Sequence, residues 1–402
     1  VFPHTAKNLE TYRYRMLEAA RANAAKNGYQ GAQYPWESAD DGTEQCPDWT
    51  IEPDGTCYRC YVAVYEHHVT AAVAYGIYNY VRITHDTEFL LYKGAEILIE
   101  TARFWKSRLQ YIKENDRYEI HQVTGPDEWH EPVDNNVYTN YLARWNLRYV
   151  TALTEMLNRE YPKEYKALAE KLGLTEEEIT EWDAVAAKVY LPRKEGTQLL
   201  EQFEGYFDLK EVLIEKYDQN DWPIRPEILN TTKKCETQII KQADVVMLLH
   251  LMGQEFDEET TKLNYSYYEK RTLHGSSLSP SIYSIMGLKV GDDSKAYRYL
   301  RRAALIDMVN LQGNTREGIH AANAGGVWQV VIFGFAGVSL DEEGMLCICP
   351  HMPPEWNGLT FRIHHLDSWL EITVHADNSV AVKVLEGGSV EVRIQGEKVN
   401  VG

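Results

Sequence analysis

Residues 123–140 read Val-Thr-Gly-Pro-Asp-Glu-Trp-His-Glu-Pro-Val-Asp-Asn-Asn-Val-Tyr-Thr-Asn, a run in which carboxylates alternate with an indole and an imidazole. Gly125-Pro126 predicts a tight turn that presents Glu128 at a loop tip beside Trp129. An aromatic wall partly desolvates a carboxyl group, raises its pKa and lets it keep a proton near neutrality, as a general acid must if it is to protonate a leaving oxygen. By composition alone, Asp127, Glu128, Glu131 and Asp134 fit a solvated acidic loop equally well. Two further groups carry binding chemistry. The ammonium of Lys241 and the amide of Gln242 can clamp vicinal hydroxyls if they stand at the mouth of the apolar helix that follows, although such a pair more often decorates a surface. Ser276 and Ser277, near a predicted helix start, and His320 with the amides around Gly325-Gly326 offer donors for an anion, while Ser-Ser-x-Ser-Pro also reads as a plain helix cap.

The elements that must position these groups are mostly helical. Leu9 to Asn27, Val62 to Ile83, Glu88 to Arg108, Asn140 to Glu160, Thr175 to Val189, Glu236 to Leu251, Glu258 to Lys270, Ala296 to Val309 and Ile319 to Phe335 carry apolar residues at three- and four-residue spacing. A hairpin is expected from Tyr111 to Gln122. The loops Gly31 to Cys60, Gln122 to Asn136 and Leu199 to Thr232 are long, and long loops on a helical scaffold usually carry binding or catalysis. After about Gly344 the pattern changes to alternation, in Leu359 to Ile363, Trp369 to Val374, Ser379 to Val384 and Ser389 to Ile394. The expected architecture is a helical catalytic domain over 1–340 followed by a small antiparallel β-sandwich over 341–402.

Sixty acidic against forty-one basic residues give a net charge of −19, which repels nucleic acid and anionic lipid surfaces, and no stretch is apolar enough to span a bilayer. Any phosphate must therefore be drawn by local donors rather than by the overall field. The six cysteines are too few for a disulfide scaffold, and the first residues lack the segments of a signal peptide, so the expected compartment is a reducing cytoplasm. Cys46, Cys57 and Cys60 could bind a metal, but a fourth ligand at standard spacing is missing, so no metal is expected. Cys347 and Cys349 are expected to be buried thiols on one strand.

The acid loop, Gly-Pro-Asp-Glu-aromatic-His-Glu followed by Val-Asp-Asn-Asn-x-Tyr-Thr-Asn, resembles that of glycoside hydrolase family 65. The resemblance continues in order through Arg103-Phe-Trp-x-Ser-Arg108, Lys241-Gln-Ala-Asp-Val245, His274-Gly-Ser-Ser-Leu-Ser279 and Gly318-Ile-His-x-Ala-x-x-Gly-Gly-Val-Trp328. It implies an (α/α)6 toroid and inverting phosphorolysis of an α-glucoside, a disaccharide or glucosyl-polyol, by inorganic phosphate to β-glucose 1-phosphate, with phosphate as co-substrate and no cofactor. By position it implies Glu128 as the general acid and Trp36, Glu37, Asp127, Trp129, His130, Lys241 and Gln242 as substrate-binding residues. Ser276, Ser277, His320 and Gly325 match the phosphate site, and Glu66, His67 and His68 follow the loop that shapes the acceptor pocket. A phosphorylase can use a single carboxylate, because phosphate is itself a competent nucleophile, whereas an inverting hydrolase needs a base as well. An α-glucosidase or trehalase of the same type, and an inactive carbohydrate-binding remnant, are the rival readings. The resemblance also implies an upstream portion carrying a donor-site Trp-Asp pair and the early toroid helices, which would make this chain a fragment or one piece of a nicked enzyme. A homodimer is expected for the complete enzyme.

Overall fold

The computed structural model describes residues 2–51, 57–219, 222–341 and 344–402, so the tip of the expected acceptor loop, 52–56, lies outside the described residues. The chain divides into two compact units, one of 3–194 with 200–206, the other of 195–199 with 207–402 together with the first residues.

The first unit is helical. Helices Pro3–Arg15, Leu17–Lys26, His68–Thr84, Ala95–Arg108, Val137–Glu160, Pro162–Leu172 and Glu176–Ala186 account for most of it. Local chemistry sets their ends. The Asn136 side chain accepts from the Thr139 amide (2.9 Å) to open the Val137–Glu160 helix, and Thr175 does the same for Glu178 at 3.2 Å. Gly173, at φ 60°, closes Pro162–Leu172. The expected Glu88 to Arg108 helix runs from Thr87 to Arg108 with a π-helical insert at Leu90–Gly94. Phe104, Trp105, Ile97 to Ile99, Leu142 and Trp182 are fully buried and form the core. The expected hairpin pairs Gln110–Ile112 with Arg117–Glu119.

In the second unit, helices Val245–Leu251, Glu258–Glu269, Ser279–Lys289, Asp293–Leu305 and Ala321–Gln329 precede the sheets. The sequence suggests a helix from Glu236, but it starts at Val245: Ile240 and Leu273 instead pair through their backbones, and this tertiary pairing overrides local propensity. Every residue from Ser279 to Leu288 is buried. That explains why periodicity marks a start there but no extent, since a helix buried all round has no polar face.

Two sheets close the chain. Gly358–His365, Ser368–His375 and Val380–Glu386 form an antiparallel meander; the other sheet runs Glu397–Val401, Val390–Ile394, Leu346–Ile348, Val338–Leu340. Their inner faces share one core, in which Ile363, Leu370 and Ile372 meet Leu346, Ile348 and Val392. One pairing, Val390–Ile394 with Leu346–Ile348, is parallel, a feature that alternation does not encode. Gly337, at φ 65°, turns the chain into this sheet where a Cβ would lie 1.8 Å from the Cys349 carbonyl oxygen. The expectation of two buried thiols here is corrected. Leu346 and Ile348 take the inward positions, so Cys347 is only partly buried and Cys349, beyond the strand, is exposed. Among the described residues no helix is long and apolar enough to cross a membrane.

Candidate active site

The acid loop hangs from a closed stem. Val123 and Val133 exchange backbone hydrogen bonds at 2.9 and 2.8 Å, so residues 124–132 form a loop with its ends together. Beneath the loop, the Asp127 carboxylate is 1% exposed and accepts from His130 Nδ1 (2.6 Å), Gln202 Nε2 (2.9 Å) and the Trp129 amide (3.4 Å). His130 is itself buried against Phe203 and Tyr206. Two of the expected sugar ligands, Asp127 and His130, therefore bond to each other and pin the loop, while Glu128 and Trp129 between them remain partly exposed.

The stem is held from a second side by Arg108, a buried guanidinium. Its Nε donates to His67 Nδ1 (3.0 Å), and its Nη2 donates to the carbonyls of His121 and Gln122. His67 Nε2 in turn donates to the Val64 carbonyl at 2.9 Å, which fixes a neutral tautomer. Burial first, then the neighbouring Arg108 charge, push the His67 pKa down to about 3. Burial likewise pushes His68 down to about 4, against a hydrogen bond to the Thr124 backbone in the acid loop. Glu66, His67 and His68, expected at the acceptor, are all buried.

Trp36 lies at the surface of this group, 38% exposed, with its ring edge-on to His68 at 6.2 Å, and His68 is edge-on to Tyr138 at 5.5 Å. The Glu44 carboxylate accepts from the amides of Trp36 (2.6 Å), Glu37 (2.9 Å) and Cys46 (2.9 Å), which fixes the segment bearing the indole. The first unit thus gathers the acid loop, Trp36, Glu37 and His68 in one neighbourhood.

The second unit gathers the other candidates. The Gly275 amide donates to the Lys241 carbonyl (2.8 Å), so the Lys241-Gln242 segment lies beside the serine loop, and each precedes a helix start, Val245 and Ser279. A Cβ at Gly326 would sit 2.6 Å from Ser281 Oγ, an approach that only glycine permits and that sets the Ala321–Gln329 helix against the start of Ser279–Lys289. His320 immediately precedes Ala321–Gln329, and Gly325 is exposed within it. Lys241, Ser276, Ser277 and His320 thus lie just before three helix starts in one unit.

Two supports there were not evident in the sequence. The Asp307 carboxylate accepts from both His320 Nδ1 (2.6 Å) and the His320 amide (2.9 Å), which fixes the ring. Those hydrogen bonds hold the Asp307 carboxyl below the usual range. His274, at φ 51°, is buried behind the serines with Nδ1 2.8 Å from Ser279 Oγ and Nε2 3.2 Å from the Tyr299 hydroxyl. Tyr299 donates to Glu269 at 2.9 Å, so its oxygen accepts from His274, and burial pushes the His274 pKa down to about 3. His274 stands inside a sequence block that had drawn notice for its serines. Asp307 and Gln202 carry no local signal at all, because their partners are 13 and 75 residues away. Among the described residues no group of three or more His, Cys, Asp or Glu side chains could hold a metal ion.

Residues 1–329 match the glycosyl hydrolase family 65 central catalytic domain, and 341–401 match the family 65 C-terminal domain. The chain is 52% identical over 402 residues to a kojibiose phosphorylase of Thermoanaerobacter brockii, covering 100% of this chain and 52% of that protein. It is 36% identical to the alpha,alpha-trehalose phosphorylase of the same organism (99% and 50% covered) and 36% identical to a 1,2-alpha-glucosylglycerol phosphorylase of Bacillus selenitireducens (98% and 53%). A solved structure, a putative kojibiose phosphorylase from human microbiome, superposes with a TM-score of 0.86 at 28% identity, covering 99% of this chain and 51% of that one. The chain spans about half the length of the curated relatives it matches. With a catalytic-domain match over 329 residues, a C-terminal match beyond it and a relative 52% identical along the whole of this chain, the chain belongs to glycoside hydrolase family 65.

Proposed function

We propose that this chain carries the catalytic residues for inverting phosphorolysis of an α-glucoside, releasing β-glucose 1-phosphate and the free acceptor. The observation that carries the reading is that the second unit holds the Lys241-Gln242 segment beside the loop of Ser276 and Ser277, with His320 oriented by Asp307 at another helix start, groups whose chemistry suits sugar hydroxyls and a small anion. The relatives named above, all phosphorylases, support the same reaction class.

In this mechanism Glu128, held at the tip of a loop pinned through Asp127, His130 and Gln202, gives its proton to the glycosidic oxygen as the C1–O bond breaks. Phosphate, held by Ser276, Ser277, His320 and the Gly325 backbone, attacks C1 from the opposite face, which inverts the anomeric centre. Lys241 and Gln242 hold the glucose, and Trp36, Glu37 and Trp129 contact the sugars. Asp127, His130 and His67 act through the loop and not on the substrate. Inorganic phosphate is the co-substrate and no cofactor is required. The chemistry fits a cytoplasmic enzyme, and a homodimer is the proposed assembly of the full-length protein.

The test is Glu128→Gln in the full-length protein. Turnover of α-glucosides should fall on the order of 10²- to 10⁴-fold, because an amide cannot supply the proton. NMR of the wild-type reaction should show the β anomer of glucose 1-phosphate. Glucose release that proceeds equally without phosphate would point to a hydrolase instead.

A further inference from the structure

The segment between Trp36 and the acid loop holds three thiols that the reaction does not use, and two of them face each other. Cys46 Sγ and Cys60 Sγ lie 3.8 Å apart, both partly buried, and 14 residues separate them in sequence. They flank a short antiparallel ribbon: Trp49–Ile51 pairs with Cys57–Arg59, and the Cys60 amide donates to the Asp48 carbonyl at 2.8 Å. That pairing holds the two sulfurs opposite each other. A disulfide needs sulfurs about 2 Å apart, so closure requires them to approach by less than about 2 Å, within reach of χ1 rotation. Cys57, nearby on the same ribbon, is exposed.

We propose that Cys46 and Cys60 form a redox modification site, a dithiol that closes to a disulfide by exchange with a small-molecule disulfide such as oxidised glutathione. One protein thiolate attacks the small disulfide, forming a mixed disulfide and expelling one small thiol. The second protein thiolate then displaces the other small thiol as the Cys46–Cys60 bond forms. Two protein thiols are oxidised, one small disulfide is reduced to two thiols, and the two protons released pass to the leaving thiolates. Burial, together with the Cys60 sulfur beside it, pushes the Cys46 thiol up to about 12, so Cys46 rests as a thiol at neutral pH.

The bond would matter because of what each cysteine is tied to. The Cys46 amide donates to Glu44, whose carboxylate also holds the amides of Trp36 and Glu37. Cys60 leads through Tyr61 to Tyr65, whose carbonyl accepts from the Thr124 amide (3.1 Å) at the foot of the acid loop. Closure therefore joins the segment that carries Trp36 to the segment that carries the acid loop. This consequence rests on the proposed function, but formation of the bond does not.

The experiment equilibrates the chain with reduced and oxidised glutathione at graded ratios, alkylates the remaining thiols and maps disulfides by peptide mass spectrometry. The expected result is a Cys46–Cys60 cross-linked peptide as the main protein disulfide, unaffected by Cys57→Ser, with Cys60 left as a glutathione mixed disulfide in Cys46→Ser. Wild-type Cys60 remaining a mixed disulfide at every ratio, or pairing with Cys57, overturns the site. Amide exchange over residues 36–48 should slow at least several-fold on oxidation, and equal exchange in the two states overturns the mechanical link while leaving the disulfide itself standing.

Discussion

Asp127→Ala tests whether the acid loop is held from beneath. The substitution removes the acceptor of three hydrogen bonds in a buried setting, from His130 Nδ1 at 2.6 Å, from Gln202 Nε2 at 2.9 Å and, at a long 3.4 Å, from the Trp129 amide, and the two short bonds carry most of the energy. Hydrogen bonds to an ionised group contribute about 1.5 kcal/mol or more each, so losing two costs about 3 kcal/mol. The surrounding helices keep their own cores, and the cost falls on opening of residues 123–133. At 1.4 kcal/mol per tenfold, the opening equilibrium should rise roughly 10²-fold. Hydrogen exchange of the Val123 and Val133 amides, which close the stem, reads this directly. Their protection should fall by about that factor, while amides inside Ala95–Arg108 stay protected. In the full-length protein, turnover should fall with little change in the KM for phosphate, because only the proton donor is displaced. Unaltered protection at Val123 and Val133 would refute the reasoning, since it would mean that the stem needs no pin.

Other outcomes follow from charge and burial. Glu10 lies buried under Gly76, and burial raises its carboxyl from about 4.5 to about 7. The folded state favours the protonated form, so this contribution is complete below pH 4.5 and is lost as pH rises to about 7. The loss amounts to roughly 3 kcal/mol, so the urea midpoint of Glu10→Gln should rise relative to that of the wild type as pH goes from 5 to 8. His67, His68 and His274, pushed down to about 3, 4 and 3, are held neutral when folded, so their contribution is complete above about pH 6.5 and is lost as pH falls toward 4. Thermal scans of the wild type and His67→Gln across pH 7 to 4 should show the variant losing less. Asp307→Asn should raise the KM for phosphate on the order of 10-fold, by freeing the His320 ring, with the KM for the glucoside unchanged. Equal effects on both constants would place His320 outside the phosphate site.

The sequence by itself determined much of this protein. Helical periodicity, the change to alternation after Gly344 and capping residues such as Asn136 and Thr175 are local signals, and most of the elements they forecast are present, several with ends shifted by a few residues. The acid loop with Glu128, and the blocks around Lys241, Ser276 and His320, were legible because each is contiguous in the chain. Tertiary structure decided what supports them. Asp127 and His130 are expected from the sequence as substrate-binding residues, yet they are buried together in a network that Gln202, 75 residues from Asp127, completes. The helix expected from Glu236 gives way to pairing with 271–273, which leaves Lys241 beside Gly275 and not inside a helix. Nothing local marks the partners of Asp307 and Arg108, and only the fold brings His320 and the stem carbonyls within hydrogen-bonding distance of them. Periodicity reports which face of an element is buried, but not which distant side chain will meet it there. That partner is chosen by long-range packing, where burying a polar group is tolerated only if its hydrogen bonds are made.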